Sequence, residues 1–356
     1  MTAQPENFPT EHTQDFTKRT PDIIGRKQEI ERLRRYLHTG DERQVVYYWA
    51  QGGLGKTRLL EELQEMITEE NEVRGGFHTT GIIDLYHTDT HSTSDIERII
   101  VERLDPDENY FDAYRRARRR YELLRERGTD PMTLEKYRKQ LADLFTQGYR
   151  DMSVDARKIV LCFDTIELLQ YESSIVEEKA GLDTSDTRLK PWLLDKLSHL
   201  PKALIVFAGR PKLPPPDEEH RDPQVRLLKD MRAAFGDEIK EVELKPFTLE
   251  ESRLFIQTLT EEARKVPENF PHLDIEVEET VIPAEHLPII HRLTGGRPIF
   301  LHLVFDLIWH LSVAPKEVLA LFAEYRELVD VPEDDARLEV AREAMQVRIL
   351  ETIFNE

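Results

Sequence analysis

A single cysteine, Cys162, stands in a chain of 356 residues, and a lone thiol closes no disulfide within the chain. It falls in the apolar run from Lys158 to Phe163, where it reads as a small core residue. Long hydrophobic runs are missing too. The longest apolar stretch, Ile299 to Leu311, is interrupted by His302, Asp306 and His310, so no segment reads as a membrane span. The opening segment, Met1 to Thr20, is polar and lacks the apolar stretch of a secretory signal, so it reads as a flexible tail. The expectation is a cytoplasmic protein with no membrane partner. Positive charge is also short: Lys and Arg number 49 against 69 Asp and Glu, a net charge of −20. A duplex-binding protein usually carries a basic footprint, so this balance argues against nucleic acid as a partner, save through a local patch. No Asn-Lys-x-Asp motif is present, which turns the choice of nucleotide away from GTP.

What the chain does have is a phosphate-binding loop. Ala50 to Thr57 reads Ala-Gln-Gly-Gly-Leu-Gly-Lys-Thr, between the β-rich run Gln44 to Trp49 and a helical pattern that starts at Arg58. A strand that ends in glycines and turns into a helix N-terminus aims several backbone N–H groups and the positive end of the helix dipole at one spot, which suits a triphosphate. Glycine lets the backbone wrap the phosphates, Lys56 reaches the β- and γ-phosphates, and the Thr57 hydroxyl ligates Mg²⁺. Ala50 replaces the usual first glycine and is small enough to keep the turn. Gly52, Gly53, Leu54, Gly55, Lys56, Thr57 and Arg58 are the expected nucleotide-binding stretch.

The remaining pattern is α/β, with a parallel sheet flanked by helices. A helix is expected over Arg26 to Leu37, a second strand over Gly81 to Tyr86, and then a helix capped by Ser94. From about Asp105 to Val154 the chain is charged and helical without strand pattern, which reads as a helical insertion. Its Arg115, Arg116, Arg118, Arg119 and Arg120 invite a phosphate-binding or nucleic-acid reading, but a solvated face paired with acids such as Asp112, Glu122 and Glu126 is the favoured expectation. Strands return at Lys158 to Phe163, Ala203 to Ala208 and Glu241 to Leu244. Only helices follow, the first opened by the capping box Thr248-Leu249-Glu250-Glu251.

A buried parallel strand closed by Asp164 presents a carboxylate at its C-terminal edge, the Walker B position that holds Mg²⁺ in P-loop NTPases. Glu167 is the nearest second carboxylate, either a group that polarises the attacking water or an exposed residue of the next helix. Arg210, at the tip of the neighbouring strand, is placed to touch a γ-phosphate. His78, His87 and His91 cluster in the sequence, but no spacing among them matches a zinc site, and the one metal expected is nucleotide-bound Mg²⁺.

Ile24-Gly25-Arg26, the P-loop, the strand ending at Asp164, Gly209-Arg210, Leu244-Lys245-Pro246-Phe247 and Gly296-Arg297-Pro298 occur in one order. The order resembles that of STAND NTPases, the signal-transduction branch of the AAA+ class that includes NACHT and NB-ARC proteins, over roughly Pro21 to Leu311. The resemblance implies an ATP/ADP switch in which Ile24, Gly25 and Arg26 line adenine and ribose, Pro298 packs near the base from a helical lid, and Arg210 reads the γ-phosphate. It divides the chain into a tail (1–20), a P-loop domain (21–245), a helical lid (246–312) and C-terminal helices (313–356). Thr165 stands where the family has a second acid, so hydrolysis is expected to be slow. No long repeat array follows, so a sensor or effector is expected from another protein or from a longer chain, and a nucleotide-dependent homo-oligomer stays open. The functional expectation is an ATP-dependent switch in signalling or defence. The alternatives are a DNA-linked AAA+ ATPase of the origin-binding or helicase-loader type and, third, a P-loop metabolic kinase.

Overall fold

The computed structural model describes residues 23–87, 93–170, 189–210, 223–265, 282–309 and 315–354. The expected tail Met1 to Thr20, His91 and the proline run from Pro211 to Pro216 lie outside the described residues. The chain forms two compact units: Gln28–Gln51 with Leu59–Leu244, and the described parts of Met1–Lys27, Gly52–Arg58 and Lys245–Glu356.

The first unit is built on five strands, β1 (Gln44–Trp49), β2 (Phe77–Asp84), β3 (Lys158–Asp164), β4 (Ala203–Gly209) and β5 (Ile239–Glu243). They pair in the order β2-β3-β4-β1-β5, all parallel. Helices α1 (Lys27–His38), α2 (Lys56–Val73), α3 (Thr93–Leu104), α4 (Asp112–Glu126), α5 (Pro131–Asp155), α6 (Leu189–Leu197) and α7 (Pro223–Phe235) lie between or beyond the strands in the chain. Parallel strands need helical crossovers, so the central strands are buried on both faces and run apolar without alternation. One face carries Val45 and Tyr47 of β1, Ile159, Leu161 and Phe163 of β3, and Ile205 and Phe207 of β4, packed with α3, α5 and α7. The alternate residues Val46, Tyr48, Val160, Leu204 and Val206 are buried on the other face, where Gln64 of α2 donates to the Cys162 Sγ at 3.3 Å. This is the α/β class expected, with a P-loop NTPase arrangement.

Strand β2 starts earlier than its sequence pattern suggests, at Phe77 rather than Gly81. It is an edge strand, and its register shifts between Thr79 and Ile82, where Gly81 takes a φ of 60°. The bulge breaks the period-2 signal, and the Thr80 hydroxyl accepts the Cys162 N–H in place of a ladder carbonyl. β5 begins at Ile239, two residues before its expected start. Ser94 sits inside the first turn of α3 rather than before it, so the expected cap is corrected.

The insertion is helical, as expected, but its arginines are not one solvated face. Arg115 pairs with the buried Asp105 at 2.9 Å, and the buried Arg118 donates to the Ser94 carbonyl and to Glu122. Burial would raise the Asp105 pKa, yet backbone N–H groups of Tyr110, Phe111 and Asn109 and the Arg115 guanidinium together hold it below the usual carboxylate range. Arg116 with Asp112 is an exposed i,i+4 pair of the expected kind, and Arg118 with Glu122 is an expected i,i+4 pair on a buried arginine. Charged residues hide a core here: Phe111, Tyr114, Tyr121, Phe145, Tyr149 and Met152 join the sheet core.

After Phe247 the described residues of the second unit form helices and no strand, with α8 (Leu249–Lys265), α9 (Leu287–Thr294), α10 (Pro298–Trp309), α11 (Pro315–Ala323) and α12 (Ala336–Phe354). The capping box forms both ways: Thr248 N–H donates to Glu251 Oε2 at 2.7 Å, and Glu251 N–H to the Thr248 hydroxyl at 3.2 Å. Phe247, Ile256, Ile290, Leu301, Phe305, Phe322, Met345 and Ile349 share one core, so α11 and α12 pack with α8, α9 and α10.

Lys158 at the start of β3 is fully buried. Its ammonium donates to the carbonyls of Thr39, Gly40 and Glu42 at 2.6, 3.1 and 2.8 Å, one for each proton. Lys158→Met should therefore strand three carbonyls and lower stability by about 3 kcal/mol, measured by urea denaturation; an unchanged midpoint would refute this. A second expectation concerns Glu97, which lines a cavity with Tyr121, Trp192 and Lys196. Burial pushes its carboxyl from 4.5 up to about 7, with Lys196 and Arg118 opposing the shift. A pKa raised in the fold means the folded state holds the proton more tightly, so this contribution to stability is lost as pH rises from about 4.5 to about 7. Glu97→Gln should flatten the melting temperature of the protein across that window relative to wild type.

Candidate functional site

The strand ends set the geometry of one edge of the first unit. In a parallel sheet all C-terminal ends share one edge, and the register pairs Trp49 of β1 with Gly209 of β4 and Phe163 of β3 with Phe207 of β4. Ala50, the first residue of the glycine loop, donates its N–H to the Gly209 carbonyl at 3.1 Å. Asp164 ends β3 and is buried; Thr165 follows, then a 3₁₀ turn, Ile166–Gln170, that carries Glu167. Glu167 is not a surface residue of the next helix. Its Oε2 accepts the Arg210 backbone N–H at 3.0 Å, and its Oε1 lies 3.6 Å from Arg210 Nε. A Cβ on Gly209 would come within 2.5 Å of Ile166 Cγ2, so glycine is what lets β4 approach this turn so closely. Asp164, Glu167 and Arg210 are thus brought to the same edge.

The second unit holds the glycine loop from Gly52 to Arg58 and the residues that the family pattern assigns to the base. Gly53 and Gly55 have φ of 78° and 82°, a region that side chains rarely adopt. A Cβ on Gly53 would meet Ile299 Cγ2 at 2.0 Å, and the Gly53 carbonyl accepts the Ile299 N–H at 3.3 Å. Around Gly55 the opposite holds: no atom lies within 4 Å of the Cβ position, so this part of the loop backbone faces open space. Lys56 opens α2, and Thr57 beside it is exposed. Positive-φ glycines, open space, a helix N-terminus and a Lys-Thr pair form a donor set that fits a magnesium-bound polyphosphate.

A cavity in the same unit is lined by Ile23, Ile24, Arg26, Leu54, Gly55, Arg58, Phe247, Phe255 and Pro298. Apolar walls with a few polar groups are the usual make-up of a site for a small flat ligand. Arg26 is buried, and one of its Nη atoms donates to the carbonyls of Leu54 and Lys245 at 2.8 and 2.9 Å while its guanidinium lies 5.6 Å over the Phe247 ring. Gly25, with φ of 70°, has Phe247 Cδ1 3.0 Å from its Cβ position. Ile24, Arg26 and Pro298 thus line one cavity. Phe255 joins them without having been singled out; its place on the inner face of the capping-box helix was the signal for it. His78 hydrogen-bonds the Leu104 carbonyl at 3.2 Å.

No family model matches the chain, and no curated protein matches it. Solved structures of similar fold include the Aeropyrum pernix ORC2 protein in its ADPNP-ADP complexes, at TM-score 0.41 and 14% identity over 68% of this chain and 53% of that one. The chain thus spans about half the length of that protein. The Aeropyrum pernix ORC1 protein in complex with DNA matches at TM-score 0.39 and 13% identity, over 94% of this chain and 85% of that one. The S. cerevisiae Hsp104-ADP complex matches at 0.41 and 14%, over 96% and 40%. The expectation that set nucleic acid aside as a partner is corrected, since it rested on net charge alone; the ORC1 structure is a complex with DNA. Net charge sums over a whole surface, so −20 does not speak for a local patch. Among the described residues no helix is long and apolar enough to cross a membrane.

Gly53→Ala tests the loop geometry directly. It would force a side chain into a φ of 78° and against Ile299, so stability should fall by about 1–3 kcal/mol with nucleotide affinity falling alongside. Wild-type melting and wild-type nucleotide titration together would contradict the described loop.

Proposed function

We propose that the chain binds ATP with Mg²⁺ through the Gly52 to Arg58 loop and hydrolyses it slowly. The observation that carries the reading is the loop itself: two positive-φ glycines, open space beside Gly55, and Lys56 and Thr57 at the head of α2. In this reading Lys56 binds the β- and γ-phosphates, Thr57 and Asp164 hold Mg²⁺, and Ile24, Gly25, Arg26 and Pro298 receive the adenine and ribose. The metal held by Thr57 and Asp164 would supply positive charge against the charge that develops on the phosphates. Glu167 would orient the attacking water, and Arg210 would contact the γ-phosphate. The pairing of Glu167 with Arg210 supports slow turnover, because both groups must leave each other to meet substrate.

Two finer readings rest on this one. A STAND-like ATP/ADP switch in signalling or defence follows from the residue pattern. The other is a DNA-linked ATPase of the origin-binding or helicase-loader type, which we place ahead of the first now that ORC structures, one of them a DNA complex, stand among those of similar fold. Anisotropy titrations with duplex DNA across a salt series, with and without ATP, separate them. Binding that weakens steeply with salt supports the DNA-linked reading, and no binding at low salt removes it.

The ATPase reading itself is tested by substitution. Lys56→Ala should weaken ATP by about 2–4 kcal/mol through lost charge-assisted contacts, and unchanged affinity in calorimetry would remove the assignment. Glu167→Gln should bind ATP normally and hydrolyse it at least about a hundredfold more slowly, the scale of a lost general base.

A further inference from the structure

We propose that Asp84 is a positioning residue that sets the turn between Asp164 and Glu167; the role in turnover rests on the ATPase reading above. The turn begins on an improbable residue. Thr165 has a φ of 58°, in the left-handed region that a β-branched side chain strongly disfavours. Such a conformation persists only when the surroundings hold it. Two contacts do so. The Thr165 N–H donates to Asp164 Oδ1 at 2.8 Å, and its hydroxyl donates to Asp84 Oδ1 at 2.7 Å.

Asp84 is placed for this by the ladder. It ends β2 in register with Asp164 at the end of β3, and the Leu85 N–H donates to the Asp164 carbonyl at 3.2 Å. Its Oδ1 also accepts the Tyr86 N–H at 2.9 Å, which fixes the carboxylate across its own turn. The left-handed Thr165 then reverses the chain into the 3₁₀ turn, with the Leu168 N–H donating back to the Thr165 carbonyl at 3.1 Å. Glu167, the second residue of that turn, is thereby aimed at Arg210. Removing the Asp84 acceptor would leave the strain in Thr165 opposed by one contact fewer, and the Thr165 backbone would relax toward negative φ. The carboxylates on either side would then change direction relative to each other, while the glycine loop would be untouched.

The experiment combines kinetics with hydrogen exchange on the full chain. Asp84→Ala and Thr165→Val should each lower kcat for ATP by about tenfold or more, the cost of a small misplacement of a reacting group, with KM for ATP and the melting temperature little changed. Asp84→Asn keeps an acceptor and Thr165→Ser keeps the hydroxyl, so both should retain most activity. The double variant Asp84→Ala with Thr165→Val should be no slower than either single one, because both remove the same contact. Wild-type kcat in both single variants, or losses that multiply in the double variant, would overturn the proposal. Exchange across residues 165–170 should quicken in both variants without change in β1 and β4, and unaltered exchange there would also overturn it. If the wild-type protein shows no ATP turnover, the ATPase reading fails, and the exchange result alone then decides whether Asp84 holds the turn.

Discussion

The parallel pairing of β1 with β4 is the constraint on which the rest of the first unit depends. Because strands that run the same way finish at the same edge, Trp49, Asp164 and Gly209 arrive together although they are far apart in the chain. The ladder bonds are modest singly, and their worth lies in burial: β3 and β4 have every residue buried, which excludes water from competing for their backbone groups. A strand shifted by one residue would turn Phe163 and Phe207 away from the core they share with α7 and move Asp164 off the edge.

At that edge the chain holds charged groups by pairing them. Glu167 is bound to Arg210, Asp84 to Thr165, and Asp164 to the Thr165 N–H. The second unit uses a different device. Arg26 places its charge on two backbone carbonyls and over the Phe247 ring, joining the segment before α1 to the glycine loop and to the segment that leads into α8. A guanidinium suits this because it is planar and forked, so it can hold two carbonyls at once while stacking on an aromatic face.

The P-loop, the class of fold and the strands β1, β3 and β4 were legible in sequence, since closely spaced glycines before a Lys-Thr pair and unbroken apolar runs each suit very few local structures. Edge strand β2 was only half legible, because its bulge shifts the register and breaks the alternation that marks a strand. The insertion misled in the other direction. Its arginines read as solvated because charge usually is, yet Arg115 and Arg118 are taken inward by Asp105 and the Ser94 carbonyl, whose proximity no local pattern reveals. Net charge misled for a like reason, being a sum that carries no information about where on the surface each charge lies.

The sequence alone determined the local chemistry: a loop of glycines that can take positive φ, a lysine and threonine at a helix start, a capping box at Thr248, and a carboxylate closing a buried strand. These are properties of short segments, governed by backbone sterics and by hydrogen bonds within a few residues. Only the tertiary structure decided which groups from distant segments meet. It paired Glu167 with Arg210, seated Lys158 on three carbonyls, set Arg26 between Leu54 and Lys245, and brought Asp84 to Thr165. Such partners are chosen by sheet order and register, and those follow from how whole elements bury their faces rather than from any residue's neighbours in the chain.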